Sequence, residues 1–336
     1  MKKKKILLLS DDLRMASGIA NMSKQLVMGT LHQYDWVQLG AAVKHPEEGK
    51  ILDLSDDVRN RTGITDAYLK VYPSSGYGSA EKLREVMNLE QPDAILHFTD
   101  PRYWIWLYDI EHEIRQTTPI FFYHIWDDLP DPKYNRDYYE SCDWIGCISK
   151  QTYGITRRVW GMTNKQRWKQ PQDWQVSYVP HGINPNDYKK VDVPEDFKKK
   201  IFGDKKYDFV LYWSNRNIRR KQPIEVIFAF KEFIAKLPKE KADKCVLLMH
   251  TQPVDDNGTD LPKVIEDNAP ECNVIFDDNK WSEVELNYLY NLADVTINLA
   301  SNEGFGLATA ESIMVGKPIR SEEHTSELPV TPISRM

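Results

Sequence analysis

The sequence predicts an α/β protein built from two doubly wound parallel-sheet domains, and three observations carry that prediction. Short apolar runs bounded by turn residues recur along the chain, and helix-length segments lie between them. The 336 residues are about twice the length of an ordinary domain. Most of the runs are continuous rather than alternating, which is what strands covered on both faces of a parallel sheet require.

The first run, 6–9, follows four lysines at 2–5. It is too short for the apolar region of a secretory signal, which needs about 7–15 residues, and far too short for a membrane span. It reads as a buried first strand behind solvated lysines. Further strands are expected at 36–43, 94–98, 119–125, 144–149 and 176–179, with helices at 17–30 and 79–89 between them. The rhythm breaks between Pro180 and Lys206, where a charged stretch runs from Lys189 to Lys200. The expected division is therefore a first domain over 1–182, a linker over 183–205 and a second domain over 206–319. Strands at 208–213, 245–250, 274–276 and 295–299 and helices at 223–237, 282–292 and 306–315 fill the second. Ligands of open α/β sheets sit beyond the carboxyl ends of the strands, so a cleft between the two domains is the expected site.

Gly316, Lys317, Pro318 and Ile319 look like the entry to another strand, but the charged stretch from Arg320 to Leu328 has no periodicity. That stretch also resembles the translated text of a common sequencing adapter. Residues 320–336 are accordingly read as a non-native tail, and the second domain as cut short.

Apolar residues make up 41% and charged residues 28% of the chain, which suits a soluble protein with a sizeable core. The 44 basic and 50 acidic residues leave a net charge of -6, against a protein held globally to nucleic acid or anionic lipid. Any anion site must be a local patch. Cys142, Cys147, Cys245 and Cys272 form no C-x-x-C pair, so neither a zinc framework nor a disulfide scaffold is signalled, and a reducing cytosol fits. No two aspartates stand at i and i+2, and a metal site is not expected.

The strongest local signal runs from Asn298 to Glu311. A strand enters a loop carrying Glu303, Gly304, Phe305 and Gly306, and Leu307 opens a helix that bears Glu311. Glycines there let the backbone approach a ligand, and the first free amides of a helix receive a phosphate. Two carboxylates flanking that point can accept hydrogen bonds from hydroxyls on either side of a bound phosphate. A second signal follows the strand 208–213: Ser214, then Arg216 and Lys221 five positions apart, opening the next helix. Arginine supplies a planar fork and lysine a point charge, a suitable pair for a diphosphate, whereas Arg219 and Arg220 read as a solvated basic turn.

The glutamate, seven residues, glutamate spacing around Gly-Phe-Gly resembles the signature of the retaining glycosyltransferases of family 4, and Arg216 with Lys221 fits that family's basic pair. The resemblance implies the GT-B fold, in which two Rossmann-like domains face a cleft. It also implies a nucleotide-sugar co-substrate (UDP- or GDP-sugar) in place of a cofactor, and a saccharide, lipid or other hydroxyl acceptor. It assigns His124, Glu303, Arg216 and Lys221 to the reaction, with His124 near the sugar or acceptor. Gly18, Ser214, Gly304, Phe305, Gly306, Leu307 and Glu311 go to the donor, with Glu311 on the ribose. Ser149 and the His181-Gly182-Ile183 turn match further positions of the family.

A cytoplasmic location is expected, with a peripheral membrane contact left open and no stable nucleic-acid partner. The stretch Arg157, Arg158, Trp160, Lys165, Arg167, Trp168, Lys169 and Trp174 interleaves cations with aromatics, suiting either an insertion packed on the first domain or an acceptor surface. Rival readings are a nucleotide-sugar epimerase or a phosphorylase of the same fold, and a non-catalytic saccharide or nucleic-acid binder.

Overall fold

Thirteen strands in two sheets order the chain in a computed structural model that describes residues 2–42, 44–161 and 171–321. The first sheet holds β1 (Lys4–Asp11), β2 (Tyr34–Ala42), β3 (Leu52–Asp53), β4 (Leu69–Ser75), β5 (Ala94–Phe98), β6 (Ile120–His124), β7 (Trp144–Cys147) and β8 (Val176–Tyr178). Its order is β3-β4-β2-β1-β5-β6-β7-β8, and every pairing is parallel except β3 with β4. The winding reverses at β1, so the gap between the ends of β1 and β5 is the topological switch point. Leu7, Leu8 and Leu9 are fully buried, as a central strand covered on both faces demands.

The second sheet has the order β11-β10-β9-β12-β13, all parallel, from β9 (Phe209–Ser214), β10 (Cys245–His250), β11 (Val274–Asp277), β12 (Val295–Asn298) and β13 (Ile319–Ser321). The chain divides into two compact units, residues 1–181 and 182–336. Among the described residues, no helix is long and apolar enough to cross a membrane.

Three expectations need adjustment. The stretch read as a linker belongs to the second unit: Tyr188, Val193, Phe197 and Ile201 pack onto Val210, Tyr212 and Leu289. The charged residues mask a helix, Glu195–Phe202, whose apolar residues are spaced to share one face. Strand β4 was not anticipated, because Lys70, Pro73 and two serines break its apolar run. β13 reaches Ser321, two residues past the boundary set at 319, as a short edge strand with partly exposed side chains. The rest of the tail lies outside the described residues.

Away from the carboxyl ends of the first sheet, Glu90 ties the sheet to its covering helix. Its carboxylate accepts from Tyr72 Oη at 2.6 Å, Tyr68 Oη at 2.8 Å and Lys5 Nζ at 2.9 Å, and it is nearly buried. Burial pushes this carboxyl up, but the bonds from Tyr72, Lys5 and Tyr68 outweigh it and hold the group at about 2. A depressed carboxyl stabilises the fold above its unfolded value and loses that contribution as it takes up a proton. Acid unfolding of Glu90→Gln should therefore lose the component that the parent chain shows between about pH 4.5 and 2, a difference of about 2 kcal/mol. Parallel pH titrations by circular dichroism would show it; superimposable curves would contradict it.

Candidate functional site

In the second unit, the loops beyond β9 and β12 meet. After Ser214, the chain passes through Asn217 and a turn, Arg219–Lys221, before Pro223 opens the helix Pro223–Ile234. Proline suits that first helical position because it has no N–H to leave unpaired. The peptide groups then lock the two loops: Ser301 N–H donates to Arg220 O at 2.8 Å, and Arg220 Nη1 donates to Asn302 O at 3.0 Å.

Lys221 Nζ and Glu303 Oε1 form a direct ion pair, with both side chains about nine-tenths buried. Asn298, at the end of β12 and 1% exposed, donates to Glu303 Oε1 at 3.3 Å and to Thr309 Oγ1 at 3.1 Å. Glu303 is thereby held from two sides. Arg220, exposed in its turn as the sequence suggested, lies 3.9 Å from the other oxygen of Glu303 and so edges this cluster.

Gly306 caps the helix Leu307–Met314 with φ at +83°, a left-handed backbone that favours glycine, and it is buried. Gly304, Phe305 and Leu307 complete this turn, partly exposed. Glu311 stands one turn into the helix and accepts from Tyr290 Oη at 2.6 Å. Burial pushes its carboxyl up, opposed by the hydroxyls of Tyr290 and Tyr188.

The other predicted residues are placed differently. Arg216 is bound to Asp255, Nε to Oδ2 at 2.9 Å, and its side chain is largely exposed. That bond holds the Asp255 carboxyl below its usual range. Sequence reasoning missed Asn217, which is fully buried between Arg216 and Lys221. Its Nδ2 donates to the carbonyls of Gln252, Pro253 and Thr259 at 3.3, 3.1 and 2.6 Å. Nothing local could have marked it, since its partners lie 35 to 42 residues away.

In the first unit, Gly18 opens the helix Gly18–Thr30 directly behind Ser17, whose hydroxyl caps that helix and donates to Asp11 Oδ2 at 2.7 Å. Ser149 is likewise a buried cap, accepting from Thr152 N–H at 3.0 Å. His124 does not reach the surface, which corrects the expectation that it touches sugar or acceptor. Thr156 donates its proton to Thr152 O at 2.7 Å, so His124 Nδ1–H donates to Thr156 Oγ1 at 3.0 Å. That leaves Nε2 to accept from Tyr139 Oη at 3.2 Å. Burial drives this imidazole down to about 3, a neutral core group. His181 is partly exposed, pairs with Tyr123 Oη at 2.9 Å and is lowered to about 4 by burial.

Of the interleaved stretch, Lys165, Arg167, Trp168 and Lys169 lie outside the described residues. Arg157 and Arg158 pair with Asp173 and Asp131, Trp160 is buried and Trp174 is exposed. Among the described residues, no three His, Cys, Asp or Glu side chains stand where they could hold a metal ion.

No protein-family model and no curated protein matches the chain. Solved structures do. Sucrose-phosphate synthase from Thermosynechococcus elongatus superimposes with a TM-score of 0.68 at 14% identity, over 97% of this chain and 83% of that one. An α,α-trehalose 6-phosphate synthase from Burkholderia multivorans gives 0.65 at 12% identity over 97% and 85%. HepE of Anabaena, in complex with UDP and glucose, gives 0.65 at 12% identity over 97% and 82%. These neighbours are glycosyltransferases of the GT-B fold, and at such identities the likeness establishes the fold: an α/β chain with two parallel sheets in the GT-B arrangement of elements.

Proposed function

We propose that this chain is a retaining glycosyltransferase that moves a hexose from a nucleotide sugar to an acceptor hydroxyl. The observation that carries the reading is the Lys221 and Glu303 pair, held at the carboxyl ends of β9 and β12 beside the glycine turn that opens the helix of Glu311. A lysine kept about nine-tenths buried by one glutamate is a cation stored in a site shielded from water, where its charge acts on a nearby anion at reduced dielectric. Arrival of a diphosphate gives that cation a new anionic partner. Glu303 is then freed to accept from sugar hydroxyls.

In this reading, Lys221 offsets the charge that grows on the leaving diphosphate, aided by Arg220 and by Arg216 once it leaves Asp255. The peptide groups of 305–307 lie at the helix start, where free N–H groups favour phosphate oxygens. Glu311 accepts from the ribose, and Ser214, at the end of β9, is assigned to the donor. Neutralisation by side chains leaves no step that calls for a metal, and the nucleotide sugar is a co-substrate. The resemblance to UDP-bound HepE and to two sugar-phosphate synthases supports this class of donor.

Thermal-shift titration with UDP-, GDP- and ADP-glucose, followed by product mass measurement, tests the proposal. One of these donors should raise the melting temperature and yield a product heavier by one hexosyl unit. Glu311→Gln keeps a partner for Tyr290 but weakens acceptance from a ribose hydroxyl, so the donor KM should rise about tenfold with kcat little changed. A chain that binds none of a full nucleotide-sugar panel would overturn the proposal.

A further inference from the structure

Two carboxylates hold the two predicted cations of the loop after β9, and they hold them differently. Glu303 and Lys221 are both about nine-tenths buried, so that pair has no room to swing apart. Asp255, on the loop after β10, has 7% of its side chain exposed, whereas Arg216 has 62%. The guanidinium is gripped along one edge, Nε donating to Oδ2 at 2.9 Å and Nη2 to Oδ1 at 3.3 Å.

The carboxylate is fixed independently of its partner. Asn257 N–H donates to Asp255 Oδ1 at 2.9 Å, and Gly258 N–H closes the turn on Asp255 O at 2.9 Å. Asn217, next to Arg216 in the chain, ties both flanks of that turn through the carbonyls of Gln252, Pro253 and Thr259. Thr259 N–H returns a bond to Asn217 Oδ1 at 3.3 Å. The backbones at 216–217 and 252–259 are therefore one piece, and Arg216 leaves Asp255 by turning its own side chain. Most of that side chain stands in water, so the turn meets little packing.

An ion pair with an exposed partner is worth little net, because water solvates the separated charges and pairing costs side-chain freedom. A diphosphate offers the same fork a second two-pronged acceptor. The exchange swaps one anion for another, and binding is weakened by the share of molecules in which Arg216 rests on Asp255.

We propose that Asp255 is a positioning residue that holds Arg216 in reserve, yields it to an arriving diphosphate and takes it back as the nucleoside diphosphate leaves. This rests on the transferase reading for its ligand and on the geometry of the two loops for the device. Lys221 is then the permanent cation of the site and Arg216 the movable one. The competing carboxylate keeps the spent nucleotide from binding too tightly to be released.

The test titrates inorganic pyrophosphate, UDP, GDP and ADP calorimetrically into the full chain. Asp255→Asn keeps an acceptor for Asn257 N–H but loses the charge, so it should melt like the parent and bind pyrophosphate about fivefold tighter. Tightening is informative because a damaged loop would weaken binding instead. Asp255→Glu restores a carboxylate and should bring the affinity back toward that of the parent. In an Arg216→Ala background, Asp255→Asn should gain less than about twofold. An undiminished gain there would show that Asp255 acts through its own charge alone and would overturn the inference, as would equal or weaker binding by Asp255→Asn. Nucleotide-sugar turnover on the same samples separates the two readings. Turnover without any gain from Asp255→Asn removes the reserve role and leaves the transferase reading standing. A gain that depends on Arg216, with no nucleotide sugar bound, removes the transferase reading and leaves the reserve role. A chain in which neither parent nor variant binds pyrophosphate or any of the three nucleotides loses both.

Discussion

Replacing Lys221 by alanine is expected to lower sugar transfer about a thousandfold, the size seen when one group that stabilises developing charge is removed from a water-shielded site. The difficulty lies in separating that loss from a folding defect. Glu303 has only 9% of its side chain exposed, and without Lys221 it is left with Asn298 at 3.3 Å and Arg220 at 3.9 Å as its remaining partners. An incompletely paired carboxylate at this depth should destabilise the second unit by about 1–3 kcal/mol.

The double variant Lys221→Ala with Glu303→Gln, compared with Glu303→Gln alone, resolves the ambiguity, because a neutral amide needs no cation and can still bond Asn298. Its melting temperature should return most of the way to that of the parent while transfer stays about a thousandfold down. Recovery of turnover along with stability would mean that Lys221 merely neutralises Glu303, and the assignment of charge stabilisation to Lys221 would be lost.

Much of this site was legible because its signals are local. The Glu303 to Glu311 spacing sets one carboxylate before the helix and one a turn inside it, and the turn of Lys221 precedes a proline at a helix start. Central strands were legible for the same reason, since Leu7 to Leu9 or Val246 to Met249 must be apolar on both faces. β4 was not, and its Pro73 shows why. The antiparallel partner β3 ends its pairing at Leu52 opposite Val71, so Pro73 has no neighbour on that side to which an N–H is owed. A tertiary fact thus licensed a residue that the sequence pattern counts against a strand.

His124 failed in the opposite direction. A histidine ending an apolar strand reads equally as ligand contact or core group, and the choice depends on Tyr139 and Thr156, 15 and 32 residues away. The resemblance offered two histidines, and burial separates them.

The loop that carries Arg216 and Lys221 depends on a residue pair that no motif names. An added Cβ on Gly258 would stand 2.1 Å from the Asn217 carbonyl oxygen and 2.8 Å from its carbonyl carbon. Both are backbone atoms that cannot rotate aside. Gly258→Ala should therefore destabilise the unit by about 3 kcal/mol, the upper range for overpacking, and raise the donor KM by moving the loop.

Asn217 is the stricter test, because its amide donates to three carbonyls and its Oδ1 accepts from Thr259 N–H at 3.3 Å. Asn217→Ala strips those partners from buried peptide groups at a cost of about 3 kcal/mol. Asn217→Asp keeps the shape but sets a carboxylate against the three carbonyls. Burial and those carbonyl dipoles must raise its folded pKa above the unfolded value of about 3.9. The folded state then binds the extra proton, so stability lost at pH 8 returns as the pH falls through the raised pKa. Urea unfolding at pH 8 and pH 5 should show Asn217→Asp gaining on the parent at the lower pH while Asn217→Ala does not. Equal behaviour of the two variants would mean that the amide bonds do not hold this loop in place.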